Sequence, residues 1–194
     1  MSSTQTLIEN KIERWAPLGF ERLEDGTAIV GRVPHLGSLA WLHQVYAPLS
    51  KEAIDQKVAA FPRLGWFPYP EFLLELNGCH LFSRALWLLG IRTSYRREPT
   101  IHLPWDVQNT NWNHMKVGLD HDALLIGGGT FRDREVFYLQ DRSGTVQAID
   151  EQSEKWLFRW NSVSELLVSE IDRLLPQFDL DGRAGPDCPS SDFG

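Results

Sequence analysis

The stretch "ALLIGGGT", Ala123 to Thr130, runs four apolar residues into three consecutive glycines. Such a run opens a phosphate cradle when its amides point at an anion from the start of a helix. A P-loop then needs a Lys-Ser or Lys-Thr pair to reach the terminal phosphates and magnesium. Here Gly127, Gly128 and Gly129 lead into "TFRDREVFYL", with no lysine in place and a strand-like pattern. The G-x-G-x-x-G spacing fails as well, because Arg132 stands where its third glycine would be. The glycines point to a strand that bends or lies close against another backbone. No nucleotide or other cofactor is expected.

Cys79-His80 pairs a thiol with an imidazole. A nucleophilic cysteine needs a base that orients and deprotonates it. Neighbours on a strand point to opposite faces, so Cys79 reads as a small core residue, with a distant histidine such as His102 as the remaining route to a base. His114, Asp120, His121 and Asp122 offer metal-ligating types at close range. Three of them are consecutive and no H-E-x-x-H spacing is present, so a solvated turn is the expectation and no metal site is assigned. "PWDVQNTNWNH" brings together Trp105, Asp106, Asn111 and Trp112. Aromatic and amide side chains in a loop suit protein recognition. The same residue types also fill cores and turns.

The formal charge of −7 argues against a general nucleic-acid-binding role. The final 33 residues, from Ser162 on, carry −5 of it, through Glu165, Glu170, Asp172, Asp179, Asp181, Asp187 and Asp192 against Arg173 and Arg183. Arg84, Arg92, Arg96 and Arg97 cluster near the middle. Two readings of the acidity are open: a solvated helix face followed by a tail, or a docking surface for a basic partner. The two cysteines, Cys79 and Cys188, are too far apart in sequence to suggest a disulfide framework. The polar start "MSSTQTLIENKIERW" does not read as a signal peptide. No apolar run reaches the ~18 residues of a membrane span, so no membrane role and a cytoplasmic setting are expected.

The elements that would position these residues follow from periodicity and caps. Residues 5–15 predict a helix with Leu7, Ile8, Ile12 and Trp15 on one side. "LEDGTAIVGRV" predicts a turn and a strand. Residues 36–46 predict a helix, from the spacing of Leu39, Leu42 and Tyr46. Ser50 caps a helix whose stripe is Ala53, Ile54, Val58 and Phe61. Pro70 opens another at its first position, and Asn77-Gly78 stops it. "CHLFSRALWLLGI" predicts one or two buried strands. Residues 92–115 read as irregular, broken by Pro99 and Pro104 and by Asn109, Asn111 and Asn113. "ALLIGGG", "EVFYLQD", "TVQAID" and "KWLFRW" predict strands, with Ser143-Gly144 turning the middle pair. Ser162 and Glu165 form a capping box before a helix that repeats at threes and fours from Val163 to Phe178 and meets Pro176.

In this order the pieces resemble the SUKH superfamily, which includes bacterial immunity proteins of toxin systems and a yeast regulator of cell-wall assembly. "PLSKEAIDQKVAAFPRLGWFPYPEFLLELNG" is similar to its first helices, and "CHLFSRALWLLG" to the following strand pair. "DVQNTN" looks like the loop before the later strands, "LLIGGGTFRDREVFYLQDRSGTVQAI" like the central hairpin, and "FRWNSVSELLVSEIDRL" like the closing helix. The second proline in Phe67-Pro68-Tyr69-Pro70 departs from the usual spacing. The resemblance covers about residues 47–183. Residues 1–46 are then an N-terminal extension packed on the core, and 184–194 a tail. It implies an α+β fold, a mixed, largely antiparallel sheet with helices packed around it. It also implies a non-enzymatic protein that binds another protein. The first expectation is an immunity protein that neutralises a toxin domain, a basic nuclease-type toxin suiting the acidity. The alternatives are an adaptor for a cellular complex and a hydrolase using Cys79 or the His114–Asp122 region. Candidate contact residues are Trp105, Asp106, Asn111, Trp112, Asp133, Glu165, Glu170 and Asp172.

Overall fold

The computed structural model describes residues 3–93, 102–115, 122–132, 134–153 and 155–185. Asp133, Asp120, His121, Arg96, Arg97 and Cys188 lie outside them, as does the tail from residue 186. The architecture is α+β. Nine strands form one open sheet in the order of the chain, each antiparallel to the next. They are β1 (Phe20–Arg22), β2 (Ala28–Arg32), β3 (Trp41–Val45), β4 (Cys79–Leu81), β5 (Leu86–Leu88), β6 (Ala123–Phe131), β7 (Arg134–Asp141), β8 (Val146–Asp150) and β9 (Trp156–Trp160). A parallel pairing enters at the isolated bridge Gly90–Asp106. Five α-helices accompany the sheet: α1 (Thr4–Ile12), α2 (Lys51–Ala60), α3 (Tyr69–Leu73), α4 (Val107–Met115) and α5 (Val163–Leu174). No helix among the described residues is long and apolar enough to cross a membrane.

Residues 1–46 are part of the sheet. Their three strands continue it, with Gln44 opposite His80 and Val45 opposite Cys79. The helix expected over 36–46 is a turn followed by β3. Leu36 and Leu39 are exposed, and the segment pairs with β2 on one side and β4 on the other. Pairing on both edges overrides a chance spacing of three and four. The irregular stretch expected up to residue 115 contains α4 instead. Asp106 Oδ1 accepts from Asn109 N–H at 3.0 Å, a side-chain cap for its first turn.

The other helices start as their caps dictate. Ser50 accepts from Ala53 N–H and Ser162 from Glu165 N–H. Glu165 reaches one residue further back than in a capping box, accepting from Asn161 N–H at 2.8 Å. α3 begins at Tyr69, one residue before Pro70, with Pro68 at its cap.

Registers define the two faces. Val45, Cys79, Leu88, Gly127, Tyr138 and Ala148 lie across from one another and share one face. α1 and α5 pack together over that side, burying Ile8, Ile12, Leu166, Leu167 and Ile171 completely. Leu7 points outward instead of joining the α1 stripe. Ile29, Gln44, His80, Trp87, Gly128, Phe137 and Ile149 share the opposite face.

Candidate protein-binding face

The glycine run is a close-packing device. A Cβ on Gly127 would lie 2.3 Å from Trp87 O, one on Gly128 2.5 Å from the Trp87 ring, and one on Gly129 2.5 Å from Ala85 O. β6 thus lets β5, the turn before it and the Trp87 indole approach to backbone distance.

That turn is the unusual feature of the fold. Phe82, Ser83 and Arg84 have φ of 55°, 52° and 74°. Three non-glycine residues in succession occupy the left-handed region, each costing about 1–3 kcal/mol. Such a conformation persists where its surroundings over-determine it. Phe82 N–H donates to His43 Nδ1 at 3.3 Å, Ser83 N–H to Leu42 O at 2.8 Å, and Ala85 N–H to Phe82 O at 3.0 Å. The Phe82 ring is clamped between Trp15, His43 and Phe178, with centroids 4.8–5.7 Å away. The result presents Arg84 on the surface, between two grooves that it lines from both sides.

One groove, about 290 Å³, is walled by Leu36, Leu39, Trp41, Gln44, His80 and Ser83. The other, about 190 Å³, is walled by Trp87, Trp105, Glu135 and Phe137. Trp105 packs against both His80 and Trp87, with ring centroids 4.9 Å apart in each case. The Arg84 guanidinium lies 5.6 Å from the Trp105 ring, a cation–π distance. Burial and the neighbouring Arg84 push the His80 imidazole down to about 3, so it is neutral at physiological pH.

The residues expected at a contact surface separate into exposed and structural ones. Trp105 is half-buried in this face and Trp112 is exposed beside Phe61. Asp106 is buried: its carboxylate accepts from Lys57 Nζ at 2.9 Å and from Arg92 N–H at 3.1 Å. Asn111 is buried too, and it sews α4 to β6 through Leu125 N–H and O. Glu170 is buried beneath α5, accepting from the Tyr138 hydroxyl at 2.9 Å and pairing with Arg173 at 2.6 Å. Asp172 pairs with Lys11 and Glu165 caps α5. Of the acidic residues of α5, Glu170 is thus committed within the fold, whereas Glu165 and Asp172 stay exposed on the surface of the helix.

The chemistry candidates are likewise placed. Cys79 is fully buried and its thiol is pushed up to about 12 by desolvation, far from the thiolate a nucleophile requires. His80 lies on the other face of the sheet. Asp122 pairs with Arg142 at 3.0 Å, and His114 belongs to the last turn of α4. Among the described residues no three His, Cys, Asp or Glu side chains gather as metal ligands.

Arg84, Trp87, Gln44 and the His80 groove did not stand out in the sequence as a site. Phe-Ser-Arg carries no left-handed turn signal, since that signal is glycine or asparagine. No protein-family model, no curated protein and no solved structure matches the chain. The resemblance to SUKH proteins rests on the residues quoted above.

Proposed function

We propose that this chain is a non-enzymatic protein-binding domain of SUKH type that neutralises a toxin domain, and that it docks through the face centred on Arg84. The observation that carries this reading is the pinned left-handed turn. A fold that holds three residues in a costly conformation to place an arginine between two aromatic-lined grooves is organised around what that arginine meets. Arginine and tryptophan are also the side chains that dominate binding energy at protein interfaces. The net charge of −7 adds a long-range field that favours a basic partner such as a nuclease-type toxin. The exposed Glu165 and Asp172 of α5 contribute to that field, while Glu170 is buried and paired with Arg173.

Tagged protein would be used to capture partners from native lysate at low and high salt, with wild type and Arg84→Ala in parallel. Retention of a toxin-like nuclease, weakened by salt and at least about tenfold by the substitution, is the expected result. A toxin held equally well by Arg84→Ala would remove the docking face. A housekeeping complex in its place would favour an adaptor.

A further inference from the structure

The sheet is open, and its two edges are finished differently. An edge strand presents a row of backbone N–H and C=O groups that another chain can pair with. β1 has three residues, and its Arg22 is paired with Glu9 at 2.6 Å. β9 has five, Trp156-Leu157-Phe158-Arg159-Trp160, with Trp156 63% and Phe158 39% exposed. Pairing with β8 sets the direction of its side chains. Phe158 lies opposite Ala148 and Trp160 opposite Val146, on the face that α5 covers. There the Trp160 ring is 5.8 Å from Tyr138 and the Phe158 ring 4.8 Å from Phe131. Arg159 lies opposite Gln147, on the other face, and a register shift at Leu157 places Trp156 opposite Ile149. Lys155 and Arg159 are exposed and have no ion-pair partner among the described residues. Arg132, exposed and 5.3 Å from the Phe131 ring, is a third such cation.

These features select an occupant. A second copy paired at this edge would set Lys155 and Arg159 against the same two cations, and like charges across strands repel. A segment that carries carboxylates meets them with opposite charge. Opposite Phe158 and Trp160 the incoming strand needs apolar side chains, and opposite Arg159, on the other face, an acidic one. Strand alternation supplies both in a single apolar–acidic–apolar run. The chain's own carboxylates are engaged or stand off the strand. Asp150 pairs with Arg134 at 3.1 Å, Glu165 accepts from Asn161 N–H beyond the last residue, and Glu151 lies in the preceding turn. Charge is screened over about 8 Å at physiological salt, so a docked segment meets these cations rather than the net −7. In strand addition the main-chain bonds give affinity and the alternate side chains give specificity. We propose that the free edge of β9 takes up an extended segment of a protein partner, with alternating apolar and acidic residues, as a further strand of the sheet. The site is independent of the Arg84 face.

The test titrates the whole chain, labelled with ¹⁵N, with the blocked pentapeptide Ac-Val-Glu-Val-Glu-Val-NH2. The amides of Leu157 to Trp160 are expected to shift, with a Kd below about 1 mM. Ac-Val-Lys-Val-Lys-Val-NH2 should bind at least about fivefold more weakly, the worth of two exchanged cross-strand charge pairs. Arg159→Glu, at an exposed position, should remove that preference. The acidic peptide N-methylated at every residue has no N–H to donate to a strand and should not bind. Arg84→Ala should take the acidic peptide as wild type does, so failure at this edge and failure of the Arg84 reading are told apart. Shifts that map elsewhere, equal affinity for the two charges, binding that survives N-methylation, or no shift up to about 5 mM peptide would overturn the proposal. So would a dimer in sedimentation whose formation shifts the same β9 amides, because a second copy would then hold the edge.

Discussion

The buried pair of Lys57 and Asp106 joins α2 to the start of α4, and its loss should be among the costliest single changes in the protein. The side chains are 9% and 2% exposed, and Nζ lies 2.9 and 3.2 Å from the two carboxylate oxygens. Asp106 also accepts from Arg92 N–H and Asn109 N–H, at 3.1 and 3.0 Å. Lys57→Met removes the cation and leaves a buried carboxylate with two backbone donors. Breaking a buried pair costs about 3–5 kcal/mol, and the surviving donors place this variant near the lower limit. Asp106→Ala strands a buried ammonium and also removes the α4 cap, worth about 1 kcal/mol more. About 4–5 kcal/mol is expected. In a chain of this length each kcal/mol lowers Tm by about 2–4 °C. Urea unfolding of both single variants and of the double variant Lys57→Met/Asp106→Ala checks the reasoning. The double variant should lose at least about 1 kcal/mol less than the two singles combined, because neither charge is then stranded. Additivity within about 0.5 kcal/mol, or a Lys57→Met cost below about 1 kcal/mol, would refute the pairing.

Other outcomes follow from the same contacts. Gly127→Ala and Gly128→Ala should each destabilise by about 3 kcal/mol or more, because the new methyl meets backbone oxygen 2.3–2.6 Å away. A Gly127→Ala protein with wild-type Tm would contradict the close approach of β5. Cys79, with its thiol near 12, should resist iodoacetamide at pH 7.5 in the native state and react fully in urea, read by peptide mass spectrometry. Rapid native labelling would reopen the nucleophile reading. His43 and His80 are held near 3, below their ordinary 6.5, chiefly by desolvation. The folded state therefore binds fewer protons than the unfolded one between those pH values. Stability is full above pH 6.5 and falls with acidification, by up to about 1.4 kcal/mol per pH unit for each histidine. A flat urea midpoint from pH 7 to pH 4.5 would count against both burials.

What was legible in the sequence was local. β6 to β9 and α5 could be read because alternation, the Ser143-Gly144 turn and the Ser162 cap each act over a few residues. α4 could not, because Asn109, Asn111 and Asn113 are poor helix formers. Its support comes from the local Asp106 cap at its start, which the three asparagines obscure, and from Asn111 bonding to β6, which is set by a distant segment. β3 was misread because Leu39, Leu42 and Tyr46 mimic a helical stripe, and only its two neighbouring strands decide otherwise. The same distinction runs through the candidate contact residues. Asp106, Asn111 and Glu170 are polar types that usually stay outside, and each is inside because a partner from another element meets it. The left-handed Phe82-Ser83-Arg84 turn is the extreme case, since its conformation is imposed by His43, Leu42 and Trp15 rather than by its own residues.

Those three residues belong to the first 46, as do Leu36, Leu39, Trp41 and Gln44 in the groove. The segment with no SUKH resemblance therefore helps hold the turn that presents Arg84 and supplies most of the walls of the larger groove beside it. Its removal is a severe test of whether it is an extension or part of the fold. Residues 1–46 include Ile8, Ile12, Trp15, Val30, Leu42 and Val45, each at most 2% exposed. At about 1.5–3 kcal/mol per buried side chain, their loss amounts to roughly 10 kcal/mol or more, comparable with the whole stability of a typical domain. Truncation would also leave β4 as an unpaired edge, inviting association. Protein starting at residue 47 should be insoluble, or soluble without a cooperative unfolding transition. A monomeric, cooperatively folded fragment would show that the resembling region stands alone and that the first three strands are an added module.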